Sequence, residues 1–366
     1  MTPRISDGNH LSVRTAMAKT LSAALTVVRS FSLLAVFCGA VLAGPSVAGV
    51  HALPELAIHA SPQVSELKQA ATLEEILNWN GAKTRVYQLQ SNDRVVVIDF
   101  KDLEAQANAL NRIAALIEKK NTPKDRILSQ RDIWLAAGGN ARDYNHYYLG
   151  HNYEAVHLAK FFNLARQAQV SLRLEERQVL DWLVKAEILT REGQKILPHP
   201  LGAVMISIAQ ARDSQNDRFL TSSQRRDTLY HESRHAEFSA NPYFKQYVID
   251  FWQRLPASRK NAIRKVLSSL GYDPSNEELM ANEFQAYLGT GTVASMLDIY
   301  IGKTGSSLEE IKGAFFQGVD ATALTIVRLN GKQKKGWAQA SPKRALRVAR
   351  ARSVSVISSE IRIFSP

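Results

Sequence analysis

Hydrophobic and polar positions follow two different periods along this chain, and the change between them is the first clue to its architecture. Val86-Tyr-Gln-Leu-Gln90 and Arg94-Val-Val-Val-Ile-Asp-Phe100 flank a polar Ser91-Asn92-Asp93. Their β-branched content and the turn residues between them predict a hairpin. From Leu103 to Lys119 the spacing lengthens, and Ala105, Ala109, Leu110, Ile113 and Leu116 share one helical face. Upstream, 61–84 reads as a polar lead-in with one short helix, Leu73–Asn78. From about residue 153 helical spacing dominates. It predicts helices over 153–168, 174–189, 223–238, 243–254, 256–270, 275–289 and 307–327, punctuated by Asn241-Pro242 and Gly271-Tyr-Asp-Pro274. One apolar stretch, Gly202–Ala209, follows His199-Pro200 and predicts a strand. No internal repeat is present. The expectation is an α+β, mainly helical fold, with a small αβ N-terminal portion (61–130) ahead of a mainly helical domain (131–330).

Composition adds little until charge is located. With 45% hydrophobic, 22% charged and 8% aromatic residues in 366, the chain can bury a substantial core, and wholesale disorder is excluded. The net charge of +12 suggests a nucleic-acid binder, but residues 1–52 hold four Arg or Lys against Asp7, and 328–366 hold ten against Glu360. Those ends carry +3 and +9, so 53–327 sums to zero, and no nucleic-acid signal remains for the core. Basic residues followed by the apolar run Phe31–Gly44 read as an export signal over 1–52. Small-residue cleavage sites end at Ala52 and Ala60. Export to the periplasm or medium is expected, an uncleaved membrane anchor being the alternative. Cys38, the single cysteine, lies within that run, so the mature chain would have no disulfide or thiol chemistry. After Asn330-Gly331 a basic, low-acid tail (331–366) is suited to contact with an anionic surface.

The segment that carries chemistry is Thr228-Leu-Tyr-His231-Glu232-Ser-Arg-His235-Ala-Glu-Phe238. Histidines four apart lie one turn above the other on a helix face, so both imidazoles can reach one ion. The intervening Glu232 points close to that face and can accept a proton without occupying the metal. A third donor is needed. In Leu279–Leu288 the lone acid is Glu283, whose carboxylate is costly to bury unless a cation compensates it. Glu277 and Glu278 compete for the role, although acids near a helix start have an ordinary electrostatic reason to be there.

These residues resemble the gluzincin type of zinc metallopeptidase, in which a His-Glu-x-x-His helix is joined by a glutamate from a later helix, often within Glu-x-x-Ala. Here that stretch is Glu283-Phe-Gln-Ala286, and the resemblance covers roughly 225–290. It implies a zincin-like catalytic domain holding Zn2+ on His231, His235 and Glu283. It also implies Glu232 as general base, and a peptide, protein or cell-wall peptide as substrate. Three departures stand out. Arg234 fills a slot that is usually uncharged, so that side of the helix is expected to face solvent or an acid. Tyr287 stands where many relatives place a histidine-orienting Asp. The segment between His235 and Glu283 is long enough for two extra helices.

Candidates to stabilise an oxyanion are Tyr230, Tyr287, His199, or the aromatic segment Asp143–Tyr153 with His146 and His151. That segment is read either as a loop over the cleft or as one packing its own aromatics. The strand at 202–209 is a candidate edge for an extended substrate. Should Glu283 not bind, His146, His151, His157 and His199 are the remaining ligands. The rival reading is an exported binding protein that uses the basic tail and the Tyr/His segment, with any metal structural or absent.

Overall fold

The computed structural model describes residues 67–118, 122–212, 218–290, 293–320 and 323–327; the expected export signal and basic tail lie outside them. The fold is α+β. Its centre is a five-stranded sheet in the order β1-β2-β3-β7-β4, formed by Leu67–Ala71, Arg85–Leu89, Asn92–Phe100, Val204–Ala209 and His151–Glu154. β1 runs parallel to β2, β2 antiparallel to β3, β3 parallel to β7, and β7 antiparallel to β4. The expected hairpin is β2–β3, and α1 (Leu73–Asn78) lies where the sequence places it. The strand expected at 202–209 is β7, but it sits between β3 and β4 and is no edge. The edge on that side is β4, drawn from the aromatic segment.

The period-two pattern of the central strands sorts side chains between two layers. Val96, Ile98 and Met205 face α2 (Leu103–Ile117), α5 (Ala155–Gln167) and α6 (Leu174–Lys185). Two short helices, α3 (Gln130–Ala136) and α4 (Ala141–Asn145), precede β4 on this side, and a separate hairpin, β5–β6 (Leu189–Glu192, Lys195–Pro198), follows α6. The alternate residues, Val95, Val97, Val204, Ile206 and Ile208, meet Leu229, Ala236 and Ala240 of α7 (Ser222–Ala240). A second, all-helical core joins α8 (Pro242–Arg254), α9 (Ala257–Ser269), α10 (Glu277–Thr290), α11 (Ala294–Gly302) and α12 (Leu308–Gly318). Phe238 of α7 inserts into it, so α7 has one side on the sheet and another on the helices.

The start of α7 is pinned by charge. Arg225 reaches Asp99 of β3 through two bonds of 2.6 and 2.9 Å, and it also donates to the carbonyls of Ala209 and Ile76. Burial pushes the Asp99 carboxyl up to about 6, although Arg225 and Gln210 draw it down. Both members of the pair are buried, so removing one strands the other. Asp99→Ala is expected to cost about 3–5 kcal/mol in urea unfolding; a loss under 1 kcal/mol would show that the pair does not anchor the helix.

Candidate metal centre

α7 begins with a reciprocal cap, Thr221 accepting from the Gln224 amide and Gln224 from the Thr221 amide. It then carries Arg225, Glu232, Arg234, His235 and Glu237, all buried. So many interior polar groups need partners or a function. Arg225 and Glu237 have partners. The Glu237 carboxylate takes the backbone N–H groups of Thr325, Ile326 and Val327 and the side-chain amide of Asn241.

His231, His235 and Glu283 come together between α7 and α10. The Nε2 atoms of the two histidines lie 3.1 Å apart. Glu283 Oε2 is 3.7 Å from His231 Nε2 and 3.6 Å from His235 Nε2, and it has no hydrogen-bond partner of its own. The three donor atoms lie within 4.8 Å of one another, and such a group could hold a cation. Burial alone would raise Glu283, but the charge on His235 and the contacts of both histidines hold it at about 2. Burial would lower His235, yet Glu283 draws a proton onto it and lifts it to about 9. His231, more strongly governed by burial, is lowered. Without a metal, the carboxylate therefore recruits a proton as its counter-charge.

Surrounding groups fix the histidines unequally. His235 Nδ1 lies 2.9 Å from Asn282 Oδ1, which leaves Nε2 free to face Glu283. His231 Nδ1 has no hydrogen-bond partner; instead the Tyr287 ring packs against its imidazole at 4.5 Å between centroids. The Tyr287 hydroxyl is 3.1 Å from that of Tyr272, and burial together with the nearby Glu283 charge raises both phenols. Glu277 and Glu278 are engaged elsewhere. Glu277 accepts from Trp252 at 2.7 Å and pairs with Arg264, and Lys245 binds Glu278 at 2.6 Å.

Glu232 stays outside the donor cluster, facing the edge of the sheet. It is buried, and that burial lifts its carboxyl to about 8, with Glu283 adding to the effect and His235 opposing it. Gly150, immediately before β4, leaves the space that Glu232 occupies. A Cβ there would lie 2.8 Å from Glu232 Oε1 and 2.5 Å from Thr228 Cγ2. Asn152 of β4 donates to the Glu232 carbonyl at 3.4 Å. Gly150→Ala should displace this carboxylate by several tenths of an ångström while sparing the three donors. Any hydrolysis that depends on Glu232 should fall by about 10–100-fold with metal content unchanged. Wild-type turnover in this variant would mean that the position of Glu232 is not critical.

Other expected participants lie apart from the cluster. His151 is buried on the opposite sheet face, with Nδ1 2.9 Å from Ser207 Oγ, and burial lowers it to about 3. Tyr230 packs against the sheet-side core, His157 is exposed, and His146 and His199 bond to local backbone. Arg234 faces neither solvent nor a paired acid, contrary to the expectation. It is 5% exposed, packed on the backbone of Gly289 with its guanidinium 5.2 Å from the Phe316 ring centroid, and burial lowers it to about 10. Asn282, Gly150 and Tyr272 were not singled out by the sequence, because their roles arise only from contacts across the fold. No family model, curated protein or solved structure matches this chain.

Proposed function

We propose that the chain is an exported, zinc-dependent metallohydrolase with a zincin-like catalytic domain, and that it is a peptidase acting on an amide carbonyl. The observation that carries this reading is the meeting of His231, His235 and Glu283 beside a carboxylate, Glu232, that belongs to no ligand set. Zinc bonded at about 2.0–2.1 Å to tetrahedral donors separates them by roughly 3.3 Å. The observed separations of 3.1, 3.6 and 3.7 Å bracket that value. Two imidazoles and one carboxylate, with no thiolate, form the donor set of a catalytic rather than a structural site.

When bound, zinc supplies Lewis acidity and brings the pKa of a water towards neutrality. Glu232 would take a proton from the attacking water and return it to the leaving nitrogen as the C–N bond breaks. The Tyr272 and Tyr287 hydroxyls, 3.1 Å apart and under the influence of the Glu283 charge, would be the hydrogen-bond donors to charge developing on the carbonyl oxygen. β4 is the sheet edge above Glu232, and an extended substrate would add there by main-chain hydrogen bonds.

The test is metal analysis of the purified full chain, followed by a panel of peptides and peptidoglycan fragments with and without chelator. About one zinc per chain and chelator-sensitive amide cleavage are expected. A chain that takes up no zinc from a buffered solution and cleaves nothing would end this reading.

A further inference from the structure

Arg234 is a buried ionic group on α7 outside the metal cluster. Arg225 is paired with Asp99, and Glu237 is saturated by amides, whereas the Arg234 guanidinium, in a residue 5% exposed, meets no acid at ion-pair distance among the described residues and packs on the Gly289 backbone and the Phe316 ring. The acid whose charge bears on it, Glu237, has both oxygens engaged by backbone amides. A guanidinium carries five N–H donors in a fixed fork, and enclosing it without an anion is costly. Gly289 supplies bare backbone beneath the guanidinium, where any side chain would collide with it, and Phe316 flanks it. Glu232 and Arg234 leave α7 on opposite sides of the histidine pair, one towards β4 and the other towards α10 and α12.

We propose that Arg234 is a specificity-determining residue that receives a carboxylate of the substrate, and that the substrate is a peptide bearing that acid two or three residues from the scissile bond. The spacing follows from α10. Gly289 is six residues past Glu283, about 9 Å along the helix at 1.5 Å per residue. An extended chain covers that distance in two to three residues. A free C-terminus and an Asp or Glu side chain present the same planar acceptor, which the guanidinium can bind through two parallel bonds. The inference rests on the peptidase reading of this site, so its test includes a measurement that needs no turnover.

N-acetylated tripeptides and tetrapeptides would be prepared in three forms: free acid, C-terminal amide, and amide with one internal Asp scanned along the chain. Their binding to the full, zinc-loaded protein would be measured by calorimetry, and their cleavage measured separately. In wild type, an acid should bind at least ~10-fold more tightly than its amide. Whether the free-acid or the internal-Asp form does so identifies the source of the carboxylate. Arg234→Met should bring the acid-to-amide ratio near one, and Arg234→Lys should retain part of it, because a point charge replaces the fork. The melting temperature of Arg234→Met should hold or rise, since an unpaired buried charge has been removed. Equal binding of acid and amide to wild type overturns the proposal, as does an acid preference that survives in Arg234→Met. Acid-selective binding without cleavage would keep the carboxylate site and remove the peptidase reading; cleavage without acid preference would do the reverse.

Discussion

Glu232→Gln is expected to retain close to one zinc per chain while losing at least 10²–10⁴-fold in turnover. Glutamine matches glutamate in shape, and Glu232 lies outside the cluster formed by His231, His235 and Glu283, so the metal donors are untouched. The lost property is proton transfer. An amide can neither take the proton of the attacking water nor deliver it to the leaving nitrogen, and a positioned general base contributes about this much. Burial keeps the group out of bulk water, and Gly150 leaves the space it occupies beside β4. Metal content and turnover measured on the same preparation separate this role from ligation. Loss of zinc would make Glu232 a ligand, and near wild-type turnover would remove it from the mechanism.

How much of this could be read from the chain depended on whether the determinant was local. The His231/His235 spacing is set within one helical turn, and Glu283 stood out as an acid in an apolar stretch, so the meeting of these three residues was legible. Strands β3 and β7 were legible as β-branched runs. β4 was not, because His151-Asn-Tyr-Glu154 is short and becomes a strand only by pairing with β7. The helix expected over 174–189 ends at Lys185 because Glu187 adopts a left-handed conformation, φ 59°, with the Ile188 amide returning to the Leu183 carbonyl. Without a glycine at that position no residue announced the stop. The helix expected over 307–327 ends at Gly318, and the amides of Thr325, Ile326 and Val327 serve Glu237 on α7 instead of continuing a helix. Arg234 misled because a charged residue is normally read as facing solvent, and the bare backbone that accommodates it, Gly289, lies 55 residues further along the chain.

Glu283→Ala is expected to abolish tight zinc binding and activity together. The two imidazoles would remain, but two neutral donors hold zinc weakly. Glu277 is committed to Trp252 and Arg264, and Glu278 to Lys245, so Glu277→Ala and Glu278→Ala should leave zinc affinity and turnover within about twofold of wild type. Glu283→Gln should fall between, because an amide oxygen can coordinate but brings no charge to offset the cation. Removing the carboxylate also removes what draws a proton onto His235, so the metal-free variant should protonate that imidazole at lower pH than the wild type. Affinity would be read by competition against a chromogenic chelator and histidine protonation by NMR. If Glu283→Ala binds zinc as tightly as wild type, the three-donor cluster is not the metal site, whatever its geometry. If zinc is lost and the His235 titration is also unchanged, the variant has disturbed the helix pair rather than the donor set. Zinc loss with a lowered His235 pKa is the expected outcome.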